Sequence, residues 1–155
     1  MGRGSSKKSK KAGASRHSGG FAGIPRVVLE TKDFLGASLS AKTLLLCLAC
    51  QYRGGNNGDL SLPHGLAKQW GVGSKSTLVK ALRELEAANL ILRTREGRFL
   101  NPGGCCALYA LTWEPIDECK GKLDVSPTIK PIRQFSMERS ISKKPGTVSG
   151  AGGYS

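Results

Sequence analysis

The chain offers no apolar run long enough to cross a bilayer: its longest, Thr43 to Cys50, is roughly half of what a span needs. The N-terminus is basic, yet it lacks the apolar stretch of a secretory signal. Cysteines are few and odd in number: Cys47, Cys50, Cys105, Cys106 and Cys119, at irregular spacing. In a chain without a secretory signal, that pattern argues for reduced thiols over a disulfide framework. The expectation is an intracellular, cytoplasmic protein with no membrane contact. No internal repeat is present.

Acids are scarce too. Asp and Glu number 11 against 24 Lys and Arg, a formal charge of +13 over 155 residues. The deficit lies at the ends. Arg3, Lys7, Lys8, Lys10, Lys11 and Arg16 have no acid among them. Lys120, Lys122, Lys130, Arg133, Arg139, Lys143 and Lys144 face only Asp124 and Glu138. The middle is nearly balanced. Such a balance favours an anionic partner, nucleic acid first and an acidic membrane surface second.

Catalytic and cofactor machinery is missing as well. Gly71-Val72-Gly73-Ser74-Lys75-Ser76-Thr77 looks like a phosphate-binding loop but holds Ser74 and Gln69 where that motif requires glycine. Cys47-Leu48-Ala49-Cys50 has metal-ligand spacing, but zinc needs two further ligands and none is in place. No serine, histidine and carboxylate constellation is apparent. The sequence therefore points to a binding protein, not an enzyme, with no cofactor, no metal and no catalytic residue.

What is present is a short, strongly patterned core. Residues 1–20 and about 126–155 are Gly, Ser, Lys and Pro-rich and cannot offset their ordering entropy, so both are expected to be disordered basic tails. The folded part should span 21–125. Ile24 to Leu29 reads as a short element, with Pro25 suited to a first helical position. Ser40 is a good N-cap for a helix from Ala41 to about Tyr52, apolar nearly all round and hence central. Gly54 to Gly58 breaks it. Asp59 to Leu62 is one small strand at most. Pro63 to Trp70 is a second helix, Gly71 to Gly73 a tight turn, and Ser74 the cap of a third helix to about Ala88. In that helix Leu78, Ala81, Leu82 and Leu85 form the buried stripe. Asn89 tolerates the left-handed conformation that ends many helices. A hairpin follows: Leu90 to Arg95, then Cys105 to Trp113 with Ala107, Tyr109, Leu111 and Trp113 alternating onto one face.

That order, and the stretch Asp59-Leu60-Ser61-Leu62-Pro63-His64-Gly65-Leu66-Ala67-Lys68-Gln69-Trp70-Gly71-Val72-Gly73-Ser74-Lys75-Ser76-Thr77-Leu78-Val79-Lys80-Ala81-Leu82-Arg83-Glu84-Leu85-Glu86-Ala87-Ala88-Asn89-Leu90-Ile91, resemble the winged helix-turn-helix family. The family more usually has glycine at the Asn89 position. Ile24-Pro25, Tyr52 to Gly58, Leu108 to Trp113 and Pro115 to Cys119 also resemble small helix-turn-helix proteins of phages, plasmids and other mobile elements, some of them similar to replication initiators. The resemblance implies a mainly helical α+β fold, a three-helix core with a C-terminal β-hairpin wing.

Double-stranded DNA is then the implied partner. The opening residues of a helix in the major groove reach base edges, and its N-terminus favours phosphate. Lys75, Ser76, Thr77, Val79, Lys80 and Arg83 are the expected contacts of the recognition helix. Arg93, Arg95, Arg98 and Asn101 are those of the wing, where a narrow minor groove attracts arginine. Lys7, Lys8, Lys10 and Lys11 would add sequence-independent phosphate contacts. They also resemble a nuclear localisation patch; a flexible arm of a bacterial, nucleoid-associated protein is the favoured reading. The implied role is that of a transcriptional regulator or origin-binding protein. Two alternatives stand beside it: a replication initiator or accessory recruiting host replication proteins, with replication or transcription proteins as partners of its C-terminal tail, and charge-driven binding of RNA or any nucleic acid. The oligomeric state is open, a homodimer included.

Overall fold

The computed structural model of the chain describes residues 19–98 and 103–135. Within them it is a small α+β domain with five helices and one antiparallel hairpin. None of those helices is long and apolar enough to cross a membrane. The basic arm residues Lys7, Lys8, Lys10 and Lys11, the loop residue Asn101 and the chain beyond Phe135 lie outside the described residues.

Two single-turn helices open the domain, α1 (Arg26–Leu29) and α2 (Lys32–Leu35). Pro25 sits one position before α1, not inside it: its extended ψ of 142° leaves its carbonyl to accept the Val28 and Leu29 N–H groups. Thr31 joins the two helices, its hydroxyl donating to Val28 O and accepting from Phe34 N–H.

The central helix α3 (Leu39–Gln51) begins two residues earlier than expected, with Ser38 as its cap instead of Ser40. The reason is tertiary. Ser38 Oγ accepts from Ala41 N–H, while its own N–H and hydroxyl both donate to the Glu84 carboxylate at 2.6 and 2.7 Å. A capping box normally recruits a glutamate within its own first turn; here another helix supplies it. Ala41, Leu44, Leu45, Cys47, Leu48 and Ala49 of α3 are buried, but the helix is not covered all round as its apolar sequence implies: Leu39, Leu46 and Cys50 are exposed, because no element packs over that side.

Next come α4 (His64–Gln69) and α5 (Lys75–Ala87), with Pro63 and Trp70 flanking α4 instead of belonging to it. Both helices end on the same device. After α4, Gly71 adopts φ +91°, its N–H reaches Lys68 O, and the Val72 N–H reaches Ala67 O. After α5, Asn89 adopts φ +55°, its N–H reaches Glu86 O, and the Leu90 N–H reaches Leu85 O. Each satisfies the orphan carbonyls of the last turn and drops an apolar residue, Val72 or Leu90, into the core.

The hairpin is β1 (Ile91–Arg95) against β2 (Leu108–Leu111), with a register shift between Arg93 and Arg95. The second strand is shorter than Cys105 to Trp113: Cys105 makes only an isolated bridge to Arg98, and Trp113 lies in the turn that follows. Tyr109 and Leu111 face the main core as their alternation implies, yet Leu108 and Ala110 are buried too. Leu60 bridges to Tyr109 on the other side, so the small strand expected at 59–62 is reduced to one bridge.

A polar hub holds the hairpin base. Asn57 is wholly buried; its Nδ2 donates to the carbonyls of Leu111, Glu114 and Pro115, and its Oδ1 accepts the Leu111 N–H at 2.7 Å. Its backbone pairs with Asp117 in both directions. Thr94 Oγ1 donates to Gly58 O beside it.

The packed chain also runs past Val125, where the sequence put the boundary. Thr128 hydroxyl accepts from Ile116 N–H. Arg133 returns to the end of α5, donating to the Ala88 and Asn89 carbonyls, pairing with Asp33, and lying over the Phe135 ring. A cation at a helix C-terminus is favoured by the exposed carbonyl dipoles. Composition argued for a tail here; what orders it is an arginine whose partners are far away in sequence.

Candidate nucleic-acid interface

The α4–turn–α5 unit presents one face of α5 outward. Ser74 Oγ caps the helix by accepting from Thr77 N–H and lies 2.7 Å from Ser76 Oγ. The turn is braced from behind by His64, whose Nε2 lies 2.7 Å from Gly73 O. Sequence reasoning passed over this clamp; a histidine opening the helix before a tight turn is the only signal for it.

Lys75, Ser76, Val79, Lys80 and Arg83 line one shallow surface depression along α5. These are five of the six recognition-helix residues expected from the sequence. The sixth, Thr77, is half-buried and lies outside the depression. Lys75, Val79 and Arg83 succeed one another one turn apart, and Ser76 and Lys80 form the neighbouring row.

Charge on α5 is sorted by direction. Its two acids are both tied to other elements of the fold: Glu84 holds the Ser38 cap, and Glu86 pairs with Arg93 of β1 at 3.0 Å. Its three cations, Lys75, Lys80 and Arg83, are exposed and make no side-chain hydrogen bond or ion pair among the described residues. The first turn contains no acid. A helix whose acids are consumed internally leaves a positive outer face, reinforced at its start by the helix dipole.

The hairpin arginines divide differently. Arg93 is tied to Glu86 and Glu96, both at 3.0 Å, and its guanidinium lies 5.8 Å from the Tyr109 ring centroid. Partial burial works against its charge, but Glu96, Tyr109 and Glu86 together more than offset that and raise its pKa. It is a strut between hairpin and α5. Arg95 bonds through Nε and Nη2 to Cys106 O, which leaves part of its guanidinium outward. Arg98 is exposed.

No described cluster of three or more His, Cys, Asp or Glu side chains is placed to hold a metal ion. All five cysteines are free; Cys47 is buried in the core, as expected of a small residue on a central helix, whereas Cys50 is exposed. Compared with known proteins, the chain matches no family model, no curated sequence and no solved structure.

Proposed function

We propose that this domain is a winged helix-turn-helix that binds double-stranded DNA, with α5 in the major groove and the β1–β2 hairpin as the wing. The observation that carries the reading is the sorting on α5: every acid of the helix is spent on an internal contact, and every cation stands outward around one depression. A merely solvated helix gains from mixing the two signs at helical spacing; a phosphate-facing helix gains from separating them. Lys75 and Lys80 contact phosphate, Ser76, Val79 and Arg83 face base edges, and Arg95 and Arg98 serve the wing. Arg93, engaged with two glutamates, leaves the contact set.

The protein acts as a binding protein without catalysis, in the role of a transcriptional regulator or origin-binding protein of a mobile element. Selection of duplex sites from random DNA by the full chain at near-physiological salt tests the reading. It predicts an enriched motif. Lys75→Glu with Lys80→Glu should lower affinity on the order of 100-fold, and should flatten the salt dependence by about two units of log–log slope. Unchanged binding by that variant refutes it. Affinity that is equal for all sequences, and for RNA, favours the charge-driven alternative.

A further inference from the structure

Val79 is the one large apolar side chain among the five that line the α5 depression, and it is 46 % exposed. Nothing in the fold asks for it. The buried stripe of α5 is complete without it in Leu78, Ala81, Leu82 and Leu85. A β-branched residue is also a poorer helix former than alanine or the straight-chain polar residues. Its neighbours on the surface are Lys75 one turn before, Arg83 one turn after, and Ser76 and Lys80 alongside. An apolar group ringed by three cations and a hydroxyl suits a ligand that is anionic at its margin and has one apolar spot within.

The major groove of DNA has that layout. Its walls are phosphates, its floor is hydrogen-bonding base edges, and its characteristic apolar group is the C5-methyl of thymine. The same group occurs on 5-methylcytosine. Resting on the reading of α5 as the groove-facing helix, we propose that Val79 recognises a C5-methyl pyrimidine at the centre of the bound site. Lys75 and Lys80 hold the flanking phosphates, and Arg83 reads a base one step along.

The test uses the full-length protein and the duplex enriched by selection. Thymidine is replaced by deoxyuridine one position at a time, and in a parallel series cytosine by 5-methylcytosine. Binding is followed by fluorescence anisotropy. One deoxyuridine position should weaken binding about 4-fold, the effect of withdrawing a single buried methyl group. Val79→Ala should abolish the sensitivity at that position alone, and Val79→Thr, which keeps one methyl, should retain part of it. Deoxyuridine silence with tighter binding to one 5-methylcytosine position would assign the methyl to the modified base. Loss of neither kind, sensitivity that persists in Val79→Ala, or a selection without a motif overturns the inference. Duplex binding that still depends on Lys75 and Lys80 would then leave the reading of α5 standing; absence of duplex binding removes both.

Discussion

Helices α3 and α5 are equal in length, 13 residues each, and pack directly on one another, yet they do opposite work. Lys42 is the single charged residue of α3, and the helix sinks six of its 13 side chains into the core, with Leu39, Leu46 and Cys50 left exposed. Five of the residues of α5 are charged: Lys75, Lys80, Arg83, Glu84 and Glu86. It buries one stripe and displays the rest. The lesson is that one of the two can be altered only at the expense of the fold, whereas the outer face of the other is free to be shaped by a ligand.

The strongest challenge to this division is at the hub on which the hairpin stands. Asn57→Ala strands the buried Leu111 N–H and removes the amide partner of the part-buried Glu114 and Pro115 carbonyls, and should cost on the order of 3 kcal/mol by urea denaturation. A loss below about 1 kcal/mol would mean that water replaces the amide there. The next comparison is a matched pair. Leu48→Ala in α3 should cost about 3 kcal/mol, whereas Val79→Ala on α5 should stay within about 0.5 kcal/mol because its side chain is already near half exposed. Equal losses would erase the contrast between the helices.

Glu84 is where the two helices meet. Glu84→Ala removes the distant half of the α3 cap and should cost about 1 kcal/mol, with DNA affinity unchanged. A fall in affinity without loss of stability would place Glu84 on the working face instead. The smallest effect is expected at Glu114. Burial pushes its carboxyl above the usual range, the Tyr52 hydroxyl offsets this in part, and Asp117 adds to it. A raised folded-state pKa means that the proton is held better in the folded protein. The contribution is full below the unfolded carboxylate value of about 4.3 and is lost as pH rises through the folded one. Glu114→Gln should therefore gain stability relative to the unchanged protein between pH 4 and pH 7, read from urea midpoints at the two pH values; a relative loss over that interval would show that the Tyr52 bond dominates.

Much of this is legible along the chain. The Gly71 and Asn89 helix stops, the Ser74 cap and the Leu78 to Leu85 stripe depend on neighbours within a turn, so the chain itself places them. The outward set Lys75, Ser76, Val79, Lys80 and Arg83 follows from the same periodicity once the stripe is known. Thr77 borders the stripe and is half-buried outside the depression; helix position alone does not decide how far a neighbour covers it. Asn57 gave no local sign at all: within Gly54 to Gly58 it reads as one more turn residue, and only the approach of Leu111 to Asp117 makes it a hub.

Local periodicity and backbone preference thus determined the element order, the helix stops and the buried stripes, because those rest on interactions within a few residues. The tertiary structure decided which charges are spent. Glu84 finds Ser38 across 46 residues, and Arg133 finds Asp33 across 100. Both choices depend on which long side chains the packed core brings within hydrogen-bond reach. The same packing draws Arg93 into the interior of the hairpin contact and leaves Lys75, Lys80 and Arg83 facing outward.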